Sequence, residues 1–238
     1  MPSLMPLAAF CPAFGGTGNL FSAARPRMSF EVLAPHYRWL EFVLAGNKLQ
    51  RCRTAFLTHA PEPNQVLILG EGNGRFLLEC RRRFTRAQIT CVDASTKMLN
   101  LARQRLLTES LPLNRVEFFH ADALKWTPPG NSFDLLVTNF FLDCFRPEQL
   151  ERIIAALAAS AKPTATWWLA DFQIPATGIA RLRALLIHRL MYGFFRVVTR
   201  LPAHRLTPPD PFLRSHGFVL HRRLIREWGL LHADEWTR

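Results

Sequence analysis

Short apolar runs alternate with amphipathic segments along most of the chain. The apolar runs are "QVLILG", "QITCVDAS", "RVEFFHADA", the start of "FDLLVTNFFLDCF", and "ATWWLADF". They hardly alternate with polar residues, which is typical of strands buried on both faces. The segments between them, such as "GRFLLECRRRF" and "PEQLERIIAALAASA", have apolar residues at helical spacing. Strands joined by helical crossovers predict a parallel sheet with helices on both faces.

The two ends of the chain differ from this central pattern. Residues 28–58 have helical spacing, whereas residues 1–27 are predicted to be a poorly ordered extension, with Met28 as an alternative start. Near the other end, residues 176–200 are predicted to form a long helix. The stretch "GFVLHRRLIREWGLLHADEW" indicates two strands joined around Trp228 and Gly229. Such a pair predicts antiparallel strands at one edge of the sheet.

Composition indicates one globular domain of 238 residues, with 49% hydrophobic and 20% charged residues. No apolar run reaches the roughly 18 residues that a membrane-spanning helix needs. The five cysteines contain no CxxC pair, which predicts reduced thiols and a cytoplasmic location. No cluster has metal-ligand spacing, so we predict no metal site. The net charge of +12 leaves open a nucleic acid, an anionic membrane surface, or simply a solvated basic surface.

A glycine-rich loop follows the first predicted strand. Gly70, Gly72 and Gly74 have the spacing G-x-G-x-G, and in a parallel sheet such a loop lies where ligands bind. A phosphate-binding P-loop needs Gly-Lys-Ser/Thr, but here Gly74 is followed by Arg75 and Phe76, which excludes a nucleotide triphosphatase. The dinucleotide pattern G-x-G-x-x-G needs its third glycine one residue later, so a dinucleotide is the second choice.

Acidic residues end the next two predicted strands. Asp93, 19 residues after Gly74, is placed to accept hydrogen bonds from both hydroxyls of a ribose. Asp122 ends the third strand, where it can meet the edge of an adenine. Together the two acids favour an adenosyl ligand lying across the strand ends.

At these positions the chain resembles the class I S-adenosylmethionine-dependent methyltransferases. The matching stretches are "VLILGEGNG", "CVDASTKML", "FHADAL", "FDLLVTNFFLDCF" and "AKPTATWWLADF", which cover residues 65–172 in the family's order. "APHYRWLE", at 34–41, resembles the leading helix of small-molecule members such as the quinone-biosynthesis methyltransferases. The resemblance implies a Rossmann-like, doubly wound α/β fold. Its seven-stranded sheet would be mostly parallel, with an antiparallel C-terminal strand and helices on both faces.

The resemblance also implies a cofactor site for S-adenosylmethionine, with S-adenosylhomocysteine as product. The glycines should pass under the methionine and ribose, Asp93 should bind the ribose, and the residues after it should border the adenine. Asn139 should face the methionine end of the cofactor. The full set of implied contacts is Gly70, Glu71, Gly72, Gly74, Asp93, Ala94, Ser95, Met98, Asp122, Ala123, Asn139 and Tyr37.

Two positions in this implied site leave alternatives open. The family usually has an acid two residues before the first glycine, where this chain has Ile68, and Glu71 is the candidate to replace it at the cofactor's amino group. Asp143 is the candidate catalytic residue, since it lies near the expected methyl group and could accept a proton. It could equally cap the helix that follows.

The basic helix at 176–200 has three interpretations. Arg181, His188, Arg189, Arg196 and Arg200 fall on one stripe, opposite a side that contains Ile179, Leu186, Ile187, Leu190, Phe194, Val197 and Val198. The helix could pack that apolar side on the core with a solvated arginine face. It could instead be a lid over an apolar substrate, or it could make peripheral contact with a membrane.

The predicted function is methyl transfer from S-adenosylmethionine to a small, apolar or aromatic molecule. "NFFL" stands where base-modifying members have an Asn-Pro-Pro-Tyr-like motif, so a nucleic-acid partner is not expected, and no protein partner is predicted. An RNA methyltransferase and a non-catalytic S-adenosylmethionine-binding protein are the alternatives. The expected organisation is a single domain at 28–238. It contains leading helices at 28–60, a cofactor-binding core at 65–172, and a substrate helix with the terminal hairpin at 173–238.

Overall fold

The computed structural model describes residues 47–199 and 206–238, and the side chains of residues 195–199 are not among those described. Three predictions therefore lie outside the described residues: the extension at 1–27, the leading helix at 34–41, and the contact assigned to Tyr37.

The described residues form seven strands with helices between most of them. The strands are β1 (Gln65–Leu69), β2 (Gln88–Asp93), β3 (Val116–His120), β4 (Phe133–Asn139), β5 (Ala161–Phe172), β6 (Val219–Arg226) and β7 (Leu231–Thr237). The helices are α1 (Asn47–Arg53), α2 (Arg75–Arg83), α3 (Thr96–Thr108), α4 (Pro147–Ser160), α5 (Gly178–Thr199) and α6 (Asp210–Ser215). Short 3-10 turns cover Leu142–Cys144 and Glu227–Gly229.

The sheet has the strand order β3-β2-β1-β4-β5-β7-β6. Strands β1 to β5 are parallel, and β7 runs antiparallel to both β5 and β6. The predicted Rossmann-like, doubly wound sheet with an antiparallel C-terminal strand is thereby confirmed. Strand order reverses between β1 and β4, so the crevice outside their carboxyl ends is where this type of sheet binds ligands.

The central strands are covered on both faces, which explains why β1, β2 and β4 are largely apolar. Neighbouring tryptophans on β5 point to opposite sides. Trp168 has its ring centroid 6.2 Å from that of Phe56 and 6.3 Å from that of Phe84, whereas Trp167 packs edge-on against Phe218 at 5.3 Å. All five side chains are buried. One strand therefore contributes to two separate cores.

Helix α5 buries a different side from the one that its sequence led us to expect against the core. The line of residues turned inward is Ala184, His188 and Tyr192, all buried. Ile179, Leu186, Leu190 and Phe194, which were expected against the core, are instead exposed. The interpretation that α5 packs this apolar side on the core is therefore wrong for these four residues, although Ile187 of the same side is half-buried against the core. Periodicity identifies a stripe, but the neighbouring surface selects which stripe is buried, and here aromatic rings from β5 and α5 fit together.

In the described part of the chain, none of the helices has the combination of length and apolarity that crossing a membrane requires.

Candidate functional site

The glycine loop after β1 has left-handed backbone at Gly70, Gly72 and Gly74, with φ of 71°, 66° and 81°. A Cβ on Gly70 would lie 2.1 Å from Cδ2 of Phe141, and one on Gly74 would lie 2.5 Å from Cα of Ala102 in α3. A Cβ on Gly72 would have no atom of the described residues within 4 Å. Gly70 thus admits an aromatic ring and Gly74 lets α2 and α3 pack closely, whereas Gly72 borders open space.

Asp93 connects this loop to the turn after β2. Its Oδ2 accepts a hydrogen bond from the backbone N–H of Gly72 at 3.0 Å, and its Oδ1 accepts one from the N–H of Ser95 at 2.9 Å. The cap of α3 is Ser95, whose Oγ accepts from the N–H of Met98 at 3.3 Å. The predicted ribose-binding carboxylate is therefore held beside the open face at Gly72.

The predicted adenine contacts lie at the neighbouring strand end. The N–H of Ala121 donates to the carbonyl of Asp93 at 3.1 Å, which joins the loops that follow β2 and β3. Asp122 is exposed, and its Oδ1 accepts from the N–H of Leu124 at 3.0 Å. The structure thus brings the acid that ends β2 and the acid that follows β3 to one edge of the sheet. Ala94 is exposed and Ala123 is half-buried at the same edge.

Glu71 caps a helix. Its Oε1 accepts hydrogen bonds from the N–H groups of Phe76 at 2.9 Å and Leu77 at 3.0 Å, in the first turn of α2. The cap residue of that helix, Gly74, has no side chain that could do this. Burial raises the pKa of Glu71 to about 7, while these hydrogen bonds and the nearby charge of Arg53 oppose that rise. The prediction that Glu71 replaces the family's acid at the cofactor's amino group stays a prediction.

Two buried amides near the glycine loop lack hydrogen-bond partners among the described residues. Asn139, which ends β4, and Asn73, inside the loop, are only 9% and 3% exposed, and neither Nδ2 has a partner there. A buried donor without an acceptor is costly, so a native structure that contains one points to a missing ligand or solvent. Together with the open space at Gly72, the unpaired amides fit a ligand with several acceptor atoms, such as S-adenosylmethionine.

Two buried carboxyl groups lie at the carboxyl ends of β4 and β5, one just after β4 and one at the penultimate residue of β5. Asp143 is 8% exposed in the 3-10 turn after β4, and Asp171 is 1% exposed near the end of β5. The Asp171 carboxyl group accepts a hydrogen bond from the backbone N–H of Phe172 at 2.8 Å. The hydroxyl of Tyr192 donates to the Asp143 carbonyl at 3.1 Å, which joins α5 to this turn.

Burial changes the charge that these groups carry. It raises the pKa of Asp143 to about 6 and, together with the charge of Asp143, raises the pKa of Asp171 well above its usual range. Each carboxyl group therefore holds its proton to a higher pH than an exposed aspartate does. The alternative in which Asp143 caps the next helix is wrong, because Arg146 occupies the cap position of α4.

Asp171 was missed in the sequence analysis. The signal that could have found it is its place at the end of "ATWWLADF", which matches the places of Asp93 and Asp122 at the ends of earlier strands.

Aromatic side chains line the same end of the sheet. The ring centroids of Phe140 and Phe172 are 5.3 Å apart, and His188 lies 5.8 Å from Phe172 and 6.0 Å from Tyr192. The guanidinium of Arg53 is 5.0 Å from the centre of the Phe140 ring. Burial lowers the pKa of His188, which favours its neutral imidazole. These rings provide an apolar surface beside the carboxyl pair.

Within residues 47–199 and 206–238, no three His, Cys, Asp or Glu side chains gather as a metal site would require.

Known proteins share both the sequence pattern and the fold. A family model described as "Methyltransferase domain" matches residues 66–164. Demethylmenaquinone methyltransferase of Deinococcus radiodurans is 28% identical over 211 residues, which cover 82% of this chain and 86% of that protein.

Solved structures agree with this match at the level of the fold. An O-methyltransferase family protein from Burkholderia thailandensis aligns with a TM-score of 0.66 at 17% identity, over 89% of this chain and 63% of that one. The chain thus spans a little under two thirds of that structure. The N-methyltransferase NodS from Bradyrhizobium japonicum, solved with S-adenosyl-L-homocysteine, aligns with a TM-score of 0.58 at 12% identity, covering 87% and 89%. The family match at 66–164, the sheet order and these structural likenesses agree, and together they support a class I S-adenosylmethionine-dependent methyltransferase that resembles the quinone-biosynthesis enzymes.

Proposed function

We propose that the protein transfers a methyl group from S-adenosylmethionine to a small, apolar or aromatic acceptor. The observation that carries this proposal is the unpaired, buried amide of Asn139 at the end of β4, close to the aromatic and carboxyl groups that follow β4 and β5. The position of this amide supports a cofactor on the side of Gly72 and Asp93 and an acceptor on the side of Asp143.

The residues proposed to hold the cofactor lie at adjacent strand ends. The Asp93 carboxylate would accept from the ribose hydroxyls, and the amide of Asn139 would donate to the methionine end. Asp122 and the side chains that follow β2 would border the adenine. When bound, S-adenosylmethionine supplies a methyl group attached to a positively charged sulfur. That sulfur is a good leaving group when a nucleophile attacks the methyl carbon in line with the carbon–sulfur bond.

Positioning supplies most of the proposed acceleration. Phe140, Phe172 and Tyr192 can hold a flat or apolar acceptor and keep water from it. Holding two reactants in a productive geometry is worth roughly 7–11 kcal/mol in favourable cases. Arg53, which lies over the Phe140 ring, fixes one side of this surface.

Proton transfer is the proposed role of Asp143. With a pKa raised to about 6 by burial, it is mostly ionised at neutral pH yet basic enough to accept the proton of a hydroxyl or amine acceptor. Burial and the nearby charge of Asp143 raise the pKa of Asp171 well above its usual range, so the acceptor proton is assigned to Asp143.

The proposed acceptor class follows from the apolar surface and from one relative. The Deinococcus radiodurans protein is named for methylation of demethylmenaquinone, and an apolar aromatic ring of that kind suits the side chains around Phe140. We retain residues 28–238 as a single domain, with a cofactor-binding core at 65–172 and acceptor-binding elements at 173–238. Cytoplasmic location stays a prediction.

The test is calorimetric titration with S-adenosylmethionine, S-adenosylhomocysteine and NAD, using the full chain and Asp93→Ala. We expect binding of both sulfur compounds, loss of that binding in the variant, and no binding of NAD. A chain that binds neither sulfur compound would refute the proposal.

Turnover is tested separately with a panel of quinol, phenol and amine acceptors. Asp143→Asn should lower kcat by about 10²–10⁴-fold, the usual range for a lost general base, and leave S-adenosylhomocysteine affinity unchanged. Glu148→Gln, an exposed carboxylate on α4, is the matched control. Cofactor binding without methylation of any acceptor would favour a non-catalytic binding protein. Salt-sensitive binding and methylation of tRNA would favour the nucleic-acid alternative.

A further inference from the structure

Helix α5 presents an apolar stripe to the outside. Ile179, Leu182, Leu186 and Leu190 are 80%, 68%, 60% and 66% exposed. Their spacing of three and four residues places them on one face, because an α-helix has 3.6 residues per turn. A monomeric protein exposes single apolar side chains routinely, but a continuous row of four large ones marks a contact surface.

Charge distinguishes this helix from an ordinary buried one. The segment 178–199, "GIARLRALLIHRLMYGFFRVVT", contains four arginines and no acidic residue. Arg183 and Arg189 flank the apolar stripe at 100° per residue, and Arg189 is exposed. An apolar face bordered by cations, with no carboxylate on the helix, is the pattern of helices that lie in the interface of an anionic bilayer.

An exposed tryptophan lies beside the same stripe. Trp228, at the tip between β6 and β7, is 76% exposed and has a φ of 57°. The guanidinium of Arg183 lies 5.7 Å from the centre of this ring and donates to the carbonyl of Glu227 at 3.2 Å. The hairpin tip is therefore fixed against α5. Tryptophan is enriched at the boundary between lipid and water, where its ring is buried in part and its N–H stays hydrated.

We propose that this face, defined by Ile179, Leu182, Leu186, Leu190 and Trp228, docks the protein on an anionic lipid surface. A second copy of the chain fits the face less well. A two-fold contact between the α5 helices would bring their arginines together without any acid on the helix to pair with them, whereas lipid phosphates supply the missing negative charge.

The inner side of α5 gives this docking a consequence. His188 and Tyr192 belong to the aromatic surface proposed above for the acceptor, while the outer side of the same helix would lie in the lipid. An apolar acceptor dissolved in the bilayer would then be presented next to the site. This consequence rests on the proposed methyl transfer, but the docking does not.

The test is co-sedimentation of the full chain with vesicles at low ionic strength. Vesicles of phosphatidylglycerol are compared with vesicles of phosphatidylcholine, and the variant is Leu186→Asp. Leu107→Asp is the control, since Leu107 is a 48% exposed leucine on α3 outside the proposed face. We expect binding to phosphatidylglycerol vesicles, at least tenfold weaker binding in Leu186→Asp, and unchanged binding in Leu107→Asp.

Three results would overturn the proposal. The first is that the full chain does not sediment with phosphatidylglycerol vesicles. The second is that Leu186→Asp binds the vesicles as the unaltered chain does, because general basic charge would then explain the adsorption. The third is that sedimentation velocity shows a dimer, which Leu186→Asp dissolves, and no vesicle binding. Calorimetry with S-adenosylhomocysteine on the same samples tests the cofactor proposal separately. Leu186 lies on the outer side of α5 and far in sequence from any proposed cofactor contact, so its substitution should leave that affinity unchanged.

Discussion

Gly72 and Gly74 share a left-handed backbone but should respond very differently to alanine. Each substitution places a Cβ on backbone with φ near +70°, at a cost of about 1–2 kcal/mol. At Gly74 the new Cβ would also lie 2.5 Å from Cα and 2.8 Å from Cβ of Ala102. Forcing α2 and α3 apart adds about 1–3 kcal/mol, as overpacking of a core does. We therefore expect losses of about 1–2 kcal/mol for Gly72→Ala and about 2–5 kcal/mol for Gly74→Ala.

Ligand binding should show a different order. The Cβ of Gly72→Ala points into the space proposed for the cofactor, where no atom of the described residues lies within 4 Å. We expect S-adenosylhomocysteine affinity to fall at least tenfold, although the protein stays folded. Gly74→Ala should lose less affinity for S-adenosylhomocysteine than Gly72→Ala does, provided that it is assayed below its unfolding temperature.

The assays are thermal unfolding and calorimetric titration. In a domain of this size 1 kcal/mol corresponds to roughly 2–4 °C in Tm, so Gly72→Ala should lose about 2–8 °C and Gly74→Ala about 4–20 °C. Gly130→Ala is the control, because Gly130 has no left-handed φ and a Cβ there would lie at an ordinary 3.6 Å from the carbonyl oxygen of Ala159. Equal destabilisation by Gly72→Ala and Gly74→Ala, or unchanged affinity in Gly72→Ala, would refute the reasoning.

Three further substitutions test other parts of the site and the fold. Asp93→Ala should weaken S-adenosylhomocysteine binding at least tenfold by calorimetry and Asp93→Asn less, because the amide keeps one acceptor; equal affinity in all three proteins would contradict this. Glu71 has a folded-state pKa of about 7, above its usual 4.5, so its contribution to stability is fully present below pH 4.5 and is lost as pH rises through 7. The free energy of unfolding should therefore decrease between pH 5 and pH 8 in the unaltered chain, and this decrease should be smaller in Glu71→Gln by at most about 3 kcal/mol. Urea unfolding at the two pH values measures it, and Glu79→Gln should show the same decrease as the unaltered chain. Asp234 is fully buried, and the Nε of Arg223 donates to it at 2.7 Å. Asp234→Ala should therefore lower the free energy of unfolding by about 3–5 kcal/mol, measured by urea unfolding. A decrease below about 1 kcal/mol would contradict the importance of this ion pair.

The order of strands and helices was predictable because burial on both faces leaves a local mark. Strands β1, β2 and β4 and the last half of β5 are apolar runs with little alternation, and each crossover helix has its own periodicity, so no long-range information is needed to find them. The glycine loop and Asp93 were likewise predictable, since a strand followed by left-handed glycines and an acid at the next strand end is a sequence pattern in itself. Trp228 and Gly229 marked the hairpin turn for the same reason.

The pairing of Asp143 with Asp171 and the orientation of α5 depended on tertiary structure. Asp143 and Asp171 are 28 residues apart in sequence and meet only because β4 and β5 are neighbours in the sheet. The raised pKa of each arises from burial, which no single residue determines. Helix α5 has apolar residues on several sides, and only its fit against Phe172 and the turn at Asp143 decided which side was buried. The local elements and the glycine cradle could be predicted from the sequence, because they depend on neighbours along the chain. The carboxyl pair and the outward apolar face were decided by the tertiary structure, because contacts across the sheet set burial and hence charge.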